Sequence, residues 1–411
     1  MVVLKYGGTS VTCCPETIVK RARSSTKAVL VVSALAGVTN LLMGDEEDHR
    51  GTLYKIHQEW IQQAKLPDDV SRRLMAMIRT LPWHFSTGEK ASCILVTALL
   101  NYTGIGATAL FSDEKRIIVS TDQKVQRVNV APITRCHEEG TLPVVTGFIS
   151  HDETSGTTDC LGRSGSDVTA AAIGEAMMVP TYIFTDVDGI MSADPRICSE
   201  ARTIRTLTRD EAFEMAFSGA SVLHPDTLAH NTDLFVQNTF DEMAPITRIL
   251  RTNEKNTTAT QPIKSVLLVD DCIMLDIFNP INDVGVPGRM ADIFSRLRHI
   301  NIRFVTQTCA ETLISVVIDE MNQHAAVTAL SGDYTTVPRP VAIVTVIGDG
   351  LRNRVGMASI IFRRIANDGI NVEGISQGSS ERSMSIVVAR CDARSVVAGL
   401  HSVVVSGWTL T

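Results

Sequence analysis

The sequence predicts an α/β protein with a mostly parallel central sheet, followed by a duplicated α+β module. Two observations support this prediction. Apolar segments of strand length alternate with helical segments from the amino terminus to about residue 250, a pattern typical of parallel sheets covered by helices. Beyond residue 262, a pattern of about 70 residues occurs twice, which indicates two copies of one small domain.

Five segments of the first part have the short apolar composition of buried strands. They are Val2–Lys5, Ala28–Ser33, Leu142–Ile149, Thr181–Thr185 and Leu234–Gln237. Helical segments are predicted between them, over Pro15–Ser24, Asp68–Leu81, Lys90–Tyr102, Asp167–Met177 and Arg209–Ala216. In such a sheet the carboxyl ends of the strands share one edge, where α/β proteins bind their ligands.

A polar stretch, Arg251–Pro262, separates the two parts and is predicted to be a linker. The sequence therefore divides into a first domain over residues 1–250, a linker over 251–262, and two modules over 263–338 and 339–411.

The two modules share landmarks that argue against chance periodicity. Each carries an Ile-Asn pair and then a Gln that is followed four residues later by Glu. These are Ile300-Asn301 with Gln307 and Glu311, and Ile370-Asn371 with Gln377 and Glu381. Each module is predicted to run strand, loop, helix, strand, strand, helix.

Composition excludes several classes of function. The chain has 411 residues and a net charge of −7, from 38 basic and 45 acidic residues, without a dense basic run, which argues against nucleic acid as a partner. No apolar run reaches the roughly 18 residues of a membrane helix. The start, Met1–Lys5, predicts a strand and not a signal peptide. The nine cysteines include the adjacent pair Cys13-Cys14, are otherwise scattered and have no CxxC spacing. They predict a reducing, cytoplasmic location, or a plastid if a transit peptide is missing from the sequence.

The stretch from Thr185 to Arg196 is the most informative part of the chain. A buried strand runs directly into Asp186, Asp188 and Asp194, with Gly189 between them. Clustered carboxylates at a strand end repel each other and are typical of sites for a metal or a polyanion. An Asp-Gly turn followed by an Asp-Pro break explains the same residues equally well.

Two glycine-containing loops predict anion binding. Lys5-Tyr6-Gly7-Gly8-Thr9-Ser10 follows the first strand, so backbone N–H groups and one cation meet there. In Gly162-Arg163-Ser164-Gly165-Ser166-Asp167 a loop enters an Ala-rich helix, with Ser166 or Asp167 predicted as its N-cap. Arg163 is suited to a bidentate contact with a carboxylate. A simple turn and a capped helix are the alternatives.

Three further segments carry polar residues next to predicted strands or helices. Glu89, at the start of an apolar helix, is suited to a substrate ammonium group, although the helix dipole alone favours an acid there. The loop Ser33–Asn40 contains Thr39 at a strand end. His224 has no acid or nucleophile at an informative spacing and is predicted to be structural. We expect Lys5, Thr39, Arg163 and Asp186 to converge at the sheet edge.

Together these motifs resemble the aspartate kinases of the amino acid kinase superfamily, over essentially the whole chain. The matching segments are Lys5–Ser10, Gly88-Glu89, Leu161–Asp167, Thr185–Arg196, Gly219–Pro225 and Ile375–Ser383. Ile347–Arg352 and Gln377–Ser383 look closest to the kinase half of bifunctional aspartate kinase–homoserine dehydrogenases, and no Gly-rich dinucleotide motif follows the second module. The resemblance implies an amino acid kinase fold followed by two ferredoxin-like ACT modules, with Ser265–Val269 contributed to the sheet of the second.

The resemblance implies that MgATP phosphorylates the side-chain carboxylate of L-aspartate, giving 4-phospho-L-aspartate. This is the first step of lysine, threonine and methionine biosynthesis. By family pattern, Lys5, Asp167 and Asp186 are catalytic, and no separate set of metal ligands is assigned. The residues implied to bind aspartate are Thr9, Thr39, Glu89, Arg163 and Ser166. Those implied to bind ATP are Lys5, Gly7, Gly8, Ser10, Thr185, Asp186, Met191, Asp194 and Arg196.

Four positions depart from the family pattern. Met191 stands where many relatives have Tyr, Ser164 replaces a frequent Gly, Asp226 replaces a common Arg, and Gln237 replaces a common Lys. The last change predicts that a second cation near the triphosphate is missing. We expect Ser164 to be tolerated only with a negative φ. Two other functions stay open: an amino-acid-binding regulator with an impaired kinase domain, and a kinase for another small acid such as glutamate or an N-acyl amino acid.

The duplicated modules imply feedback control by an amino acid. Gln307 and Gln377 occupy matching positions and are the candidate effector contacts, although polar caps at strand ends are the alternative. Resemblance to the bifunctional enzymes favours threonine as effector, with lysine second. ACT modules commonly pair sheet edges between subunits, so we expect a homodimer or a larger homo-oligomer.

Overall fold

The computed structural model describes residues 1–25, 27–43, 49–219, 223–252, 262–278, 285–307, 313–352, 354–378 and 380–406, with the side chains of 286, 304–307, 405 and 406 outside this description. The chain divides into two compact units. Unit 1 contains Met1–Ile190, Thr203–Ala216 and Ser221–Asn256, and unit 2 contains Met191–Arg202, Phe217–Ala220 and Thr257–Thr411.

The first part of the chain forms twelve strands within the described residues. They are β1 (Val2–Tyr6), β2 (Ala28–Val32), β3 (Ala107–Leu110), β4 (Ile118–Thr121), β5 (Lys124–Val128), β6 (Leu142–Thr146), β7 (Ile149–Asp152), β8 (Thr158–Cys160), β9 (Thr181–Thr185), β10 (Thr206–Leu207), β11 (Leu234–Asn238) and β12 (Thr247–Ile249). The helices are α1 (Gly8–Cys13), α2 (Pro15–Ser24), α3 (Val38–Leu42), α4 (Arg50–Gln63), α5 (Asp68–Thr80), α6 (Thr87–Tyr102), α7 (Ala131–Glu138), α8 (Gly165–Met177), α9 (Arg209–Phe217) and α10 (Pro225–Leu228).

Eight of the strands form one central sheet in the order β10-β12-β11-β9-β1-β2-β6-β3. Every neighbouring pair is parallel except β11 with β12. The predicted mostly parallel sheet is therefore confirmed. The carboxyl ends of β1, β2, β6, β9 and β11 lie at the same edge.

Helices cover both faces of this sheet. Leu4, Leu30 and Val32 pack on one side in a core that also contains Trp60 of α4 and Leu95 of α6. The alternate strand residues face the other side, where Val3, Val29 and Val145 pack with Val168 and Ile173 of α8. A strand that is buried on both faces has few polar positions, which is why these strands could be recognised from the sequence.

One predicted strand, Leu142–Ile149, is wrong as a single element. The chain forms β6 up to Thr146 and then β7 from Ile149, and β7 belongs to a separate four-stranded sheet of order β5-β4-β7-β8. Phe148 has a φ of +66° between them. A Cβ on Gly147 would lie 2.5 Å from Cβ of Ser166, so this turn requires glycine to let α8 approach.

The predicted helices are all present, with different starts for two of them. α6 begins at Thr87 and α8 at Gly165, three and two residues before the predicted starts at Lys90 and Asp167. Of the predicted linker, residues 253–261 lie outside the described residues, as do residues 220–222 of the Gly219–Pro225 motif.

Unit 2 contains a six-stranded antiparallel sheet of order β14-β15-β13-β16-β18-β17. Its strands are β13 (Ser265–Phe278), β14 (Ile302–Gln307), β15 (Leu313–Asp319), β16 (Thr335–Ile347), β17 (Gly374–Gln377) and β18 (Ser383–Ala389). Its helices are α11 (Gly285–Arg296), α12 (Gln323–Leu330), α13 (Met357–Asn367) and α14 (Ala393–Ser406). Three short 3-10 turns cover Glu320–Asn322, Asp349–Leu351 and Arg390–Asp392.

Two long strands join the repeats of unit 2. Ser265–Val269 of β13 pairs with Ile343–Ile347 of β16, and after a bulge Cys272–Phe278 pairs with Thr335–Val341. The other edge of Ile343–Ile347 pairs with β18, so Ser265–Val269 lies in the sheet of the second repeat. Within the described residues, no helix combines the length and the apolar character needed to cross a membrane.

Candidate active site

The loops that carry the predicted site residues leave neighbouring strands of the central sheet. Tyr6 of β1 pairs with Val32 of β2 on one side and with Phe184 of β9 on the other, and Asn238 of β11 pairs with Thr185. The segments after these four strands therefore begin next to one another at the carboxyl edge. This is the edge at which open α/β sheets bind ligands.

The glycines after β1 allow close packing around Lys5. α1 begins at Gly8, immediately after the strand, and Gly7 N donates a hydrogen bond to Phe184 O at 3.4 Å. A Cβ on Gly7 would lie 3.5 Å from Nζ of Lys5, and one on Gly8 would lie 2.9 Å from Ala34 O. Side chains at these positions would crowd the lysine and the facing loop. The loop thus fits its predicted role as an anion cradle.

Lys5 forms a buried ion pair with Asp167. Its Nζ lies 2.5 Å from Oδ1 of Asp167, and both residues are 7% exposed. The sequence predicted both residues as catalytic but not their pairing. The pair joins β1 to the first turn of α8, where free backbone N–H groups favour anions.

Hydroxyl groups connect the other loops at this edge. Ser33 Oγ, after β2, donates to Ser166 Oγ at 2.8 Å. Ser10 Oγ lies 2.6 Å from Thr239 Oγ1, which follows β11, and donates to Phe184 O at 3.2 Å. The sequence reasoning did not select Ser33 and Thr239, although both directly follow strands.

Glu89 is a buried carboxylate with one open oxygen. The residue is 2% exposed, and its Oε2 has no hydrogen-bond partner among the described residues. Burial raises the pKa of Glu89 to about 7, while hydrogen bonds from its own backbone, from the Ala34 backbone and from the Thr39 side chain act in the opposite direction. The structure therefore brings the side chain of Thr39 to the carboxylate of Glu89. A buried acceptor of this kind is suited to an ammonium group.

The loop that precedes α8 differs from two expectations. The N-cap is Ser164 and not Ser166 or Asp167, and its side chain makes no capping hydrogen bond. Ser164 has a φ of +55°, in the left-handed region, so the expected negative φ is wrong. Arg163 is exposed beside it, with no hydrogen bond or ion pair to the described residues. Thr9 is also exposed, and the structure shows no side-chain bond that links it to Glu89 or Ser166.

Phe148 is a further candidate that the sequence reasoning missed. Its φ of +66° places it at the turn after β6, and a Cβ on Gly165 would lie 2.9 Å from its Cδ2. Its ring makes an edge contact with Phe85 at 6.3 Å between centroids. A non-glycine residue in this backbone region is a strain that often accompanies function.

In the acidic loop after β9, the three aspartates have different partners. Asp186 is exposed, and its Oδ1 accepts a hydrogen bond from Thr185 Oγ1 at 3.1 Å. Asp188 accepts from Asn238 Nδ2 at 2.5 Å, and its backbone carbonyl accepts from Thr203 Oγ1. Asp188 therefore shapes the loop, whereas Asp186 stays accessible at the edge.

Met191, Asp194 and Arg196 belong to unit 2. The carboxylate of Asp194 accepts hydrogen bonds from Nε of Arg196, at 3.0 Å to Oδ1 and 3.1 Å to Oδ2, from Nη2 at 2.7 Å, and from the Arg196 backbone N–H at 2.8 Å. These two predicted ATP contacts are thus paired with each other.

A cation from another element stands beside Gln237. Nη1 of Arg21, on α2, donates to Oε1 of Gln237 at 3.3 Å. The Arg21 guanidinium also lies 4.1 Å from the centroid of the Phe184 ring. The sequence predicted the loss of a cation at position 237, and it gave no sign that Arg21 would lie next to it.

The remaining predicted residues lie elsewhere in the fold. His224 is the N-cap of α10 and accepts a hydrogen bond from Asp226 N at 3.3 Å, a structural role as predicted. Gln307 and Gln377 are the last residues of β14 and β17, paired with Ile314 and Met384. Gln377 is exposed, whereas the Gln307 side chain and Glu311 lie outside the described residues.

Comparisons with known proteins agree with this architecture. Residues 1–231 match the amino acid kinase family, and residues 282–334 and 344–404 match an ACT domain. Aspartokinase 3 of Arabidopsis thaliana is 29% identical over 97% of this chain and 81% of its own length. A bifunctional aspartokinase/homoserine dehydrogenase of Haemophilus influenzae is 27% identical over 98% of this chain, which spans 56% of that relative.

Two solved structures of Escherichia coli aspartokinase III are also similar, each 25% identical over 98% of this chain and 99% of theirs. One is a complex with aspartate and ADP, with a TM-score of 0.75. The other is a complex with lysine and aspartate, with a TM-score of 0.80. The resemblance and the fold predicted from the sequence are thereby confirmed. With its parallel sheet, its carboxyl-edge loops and its paired regulatory repeats, the chain belongs to the amino acid kinase family and carries ACT domains.

Proposed function

We propose that the protein is an aspartate kinase, which transfers the γ-phosphoryl group of ATP to the side-chain carboxylate of L-aspartate. The observation that carries this proposal is the open, buried carboxylate of Glu89 at the same sheet edge as the buried Lys5–Asp167 pair. Glu89 would bind the amine of an amino acid, and Lys5 would bind a phosphate. The relative from Escherichia coli was solved with aspartate and ADP.

The reaction needs positioning and charge neutralisation more than covalent chemistry. A carboxylate oxygen of aspartate attacks the γ-phosphorus, the bond to the β–γ bridging oxygen breaks, and ADP leaves. The attacking carboxylate is already ionised, so no general base is required. Lys5 would neutralise charge on the transferring group, with Asp167 holding the Lys5 ammonium in place.

The substrate contacts follow the family pattern. Glu89 and Thr39 would bind the amine side of aspartate, Arg163 its α-carboxylate, and Ser166 and Thr9 would complete the pocket. Gly7, Gly8, Ser10 and Thr185 would face the nucleotide, together with Met191, Asp194 and Arg196. Asp186, an exposed carboxylate at the end of β9, would hold the Mg²⁺ of MgATP. Mg²⁺ would neutralise phosphate charge.

We also propose the domain boundaries and the regulation. Residues 1–250 would form the catalytic domain, although Met191–Arg202 and Phe217–Ala220 within them belong to unit 2. Residues 251–262 would form the linker, and 263–338 and 339–411 the two ACT modules. An amino-acid effector would bind near Gln307 and Gln377, with threonine or lysine as candidates. Escherichia coli aspartokinase III was solved with lysine. The protein would act in the cytoplasm as a homo-oligomer joined through its ACT modules.

The decisive experiment measures ADP formation and acyl phosphate, trapped as hydroxamate, with ATP and a panel of amino acids. We expect turnover with L-aspartate and a smaller rate or none with glutamate and N-acyl amino acids. Turnover with one of those compounds but not with aspartate would identify a different kinase. The absence of turnover with any amino acid, at every aspartate concentration, would favour the alternative function, an amino-acid-binding regulator with an impaired kinase domain. Adding lysine, threonine and methionine separately then identifies the effector.

A further inference from the structure

One segment of the nucleotide-side loop is folded into the core of unit 2. The chain leaves unit 1 after Ile190 and returns to it at Thr203, and Met191–Arg202 between them belongs to unit 2. Ala193 and Cys198 are buried in the same apolar cluster as Val266 of β13, Ile361 of α13 and Leu400 of α14. We name residues 191–202 the coupling segment.

All polar atoms of Ser192 are paired: two of its bonds close the segment on itself at Arg202, and two join it to the rest of unit 2. Its backbone N–H donates to Arg202 O at 2.9 Å, and its carbonyl accepts from Val266 N at 2.9 Å. Its Oγ accepts from Arg202 N at 3.0 Å and lies 2.9 Å from Nε2 of His401, on α14. Ser192 and His401 are each 2% exposed. A buried, fully paired hydroxyl of this kind fixes geometry more than it adds stability.

The surroundings of His401 favour an uncharged imidazole ring. The buried His401 ring has a lowered pKa, chiefly because of burial and with Arg202 acting in the same direction, whereas Glu200 opposes the shift. A neutral ring can accept the Ser192 hydroxyl proton at Nε2 and carry its own proton on Nδ1. The Ser192 hydroxyl and an uncharged His401 ring therefore share a buried hydrogen bond.

Charged residues of the segment face opposite charges of unit 2. The pKa of Asp194 is lowered chiefly by its hydrogen bond with Arg196, and the positive charge of Arg394, on α14, adds a smaller effect in the same direction. The pKa of Arg196 is raised chiefly by Asp194, and the negative charge of Asp270, on β13, adds a smaller effect. Apolar packing, a buried hydrogen bond and charge complementarity thus all bind the segment to the same two elements of the regulatory unit.

We propose that Ser192 and His401 are a positioning pair that sets nucleotide affinity from the regulatory unit. The coupling segment is covalently continuous with the loop that follows β9, so a shift of α14 is transmitted to Asp186 through the chain. This inference rests on the proposed function, because it requires the loop after β9 to face the nucleotide. It adds the route by which an effector bound to unit 2 changes the affinity for ATP.

The test compares four variants of the full chain. His401→Leu and Ser192→Ala remove the hydrogen bond, and His401→Gln keeps an acceptor near the position of Nε2. Thr345→Val is the matched control, since Thr345 forms another hydroxyl pair in unit 2, with Ser385 Oγ at 2.9 Å, that makes no bond to the coupling segment. MgADP binding is measured by calorimetry, and KM is measured for ATP and for aspartate.

Loss of the pair is expected to weaken MgADP binding and to raise KM for ATP by about fivefold, the effect of one buried hydrogen bond. KM for aspartate should stay within about twofold of wild type. His401→Gln and Thr345→Val should behave as wild type. Unchanged MgADP affinity in Ser192→Ala, which conserves the packing, would overturn the inference, as would an equal loss in Thr345→Val. Wild-type protein that binds no MgADP would instead overturn the proposed function.

Discussion

At the scale of single residues, the buried carboxyl of Glu89 sets a pH dependence of stability. Its pKa is raised from 4.5 to about 7 in the folded protein, so the folded state holds a proton that the unfolded state releases between these values. The contribution of Glu89 to stability is therefore most favourable below pH 4.5 and declines as the pH rises to 7. Substrate amine binding would favour the ionised form and offset this cost.

We therefore expect Glu89→Gln to gain stability over the wild type in the absence of ligands as the pH rises. The gain between pH 5.5 and pH 8 should be about 2 kcal/mol, because the neutral amide does not ionise. Urea unfolding at the two pH values measures it. The exposed Glu59→Gln is the control and should follow the wild type. If the stability of Glu89→Gln and of the wild type depended equally on pH, the raised pKa of Glu89 would be contradicted.

The backbone of Ser164 is strained, which is a second effect at the scale of single residues. Its φ of +55° lies in the left-handed region, which costs about 1 kcal/mol for a residue with a side chain. Ser164→Gly should thus raise the free energy of unfolding by up to about 1 kcal/mol. Gly162→Ala tests the reverse change, because Gly162 has a φ of +70° in the same loop. This variant should lose up to about 1 kcal/mol of the free energy of unfolding. Equilibrium urea unfolding checks both. A destabilised Ser164→Gly would show that the hydroxyl makes a contribution that outweighs the strain.

At the scale of elements, the site depends on which strands and helices meet at the carboxyl edge. β1 supplies Lys5, α8 supplies Asp167, and their ion pair is buried between the two elements. β9 instead delivers Asp186 to an exposed loop. The two predicted catalytic groups should therefore respond differently to mutation, although both are expected to be essential for turnover.

Lys5→Met should abolish turnover and also destabilise the fold by about 3 kcal/mol, because Asp167 is left buried without its counter-charge. Asp186→Ala should abolish turnover with a stability change below about 0.5 kcal/mol. ADP formation and urea unfolding, measured on the same samples, separate these effects. In the double variant Lys5→Met/Asp167→Leu, stability should recover and activity should not. A stable single Lys5→Met variant would show that the pair is not buried in solution.

At the scale of the whole molecule, the two units have separate apolar cores. Leu95 is fully buried in the core of unit 1, and Val344 is fully buried in that of unit 2. Chains with two cores commonly unfold in more than one step. The regulatory unit thus has its own stability, which an effector that binds it would raise.

We expect unfolding in urea to show two transitions, which substitutions in the two cores shift separately. Leu95→Ala should lower the free energy of unfolding of unit 1 by about 3 kcal/mol, and Val344→Ala that of unit 2 by about 2 kcal/mol. Both substitutions remove buried apolar surface and leave a cavity. Far-UV circular dichroism with increasing urea gives the transitions. A single transition that both substitutions shift equally would mean that the two units unfold as one.

The sequence by itself determined the fold class, the order of the motifs and the duplication. These follow from local patterns: strands such as Ala28–Val32 are buried on both faces and are continuously apolar, and repeated landmarks survive duplication. Only the tertiary structure decided that Ser33 bonds to Ser166, that Arg21 stands beside Gln237, and that residues 191–202 pack into unit 2. Such contacts join residues far apart in the chain, and no local propensity encodes which partner each one meets, because burial and packing across the whole fold select it.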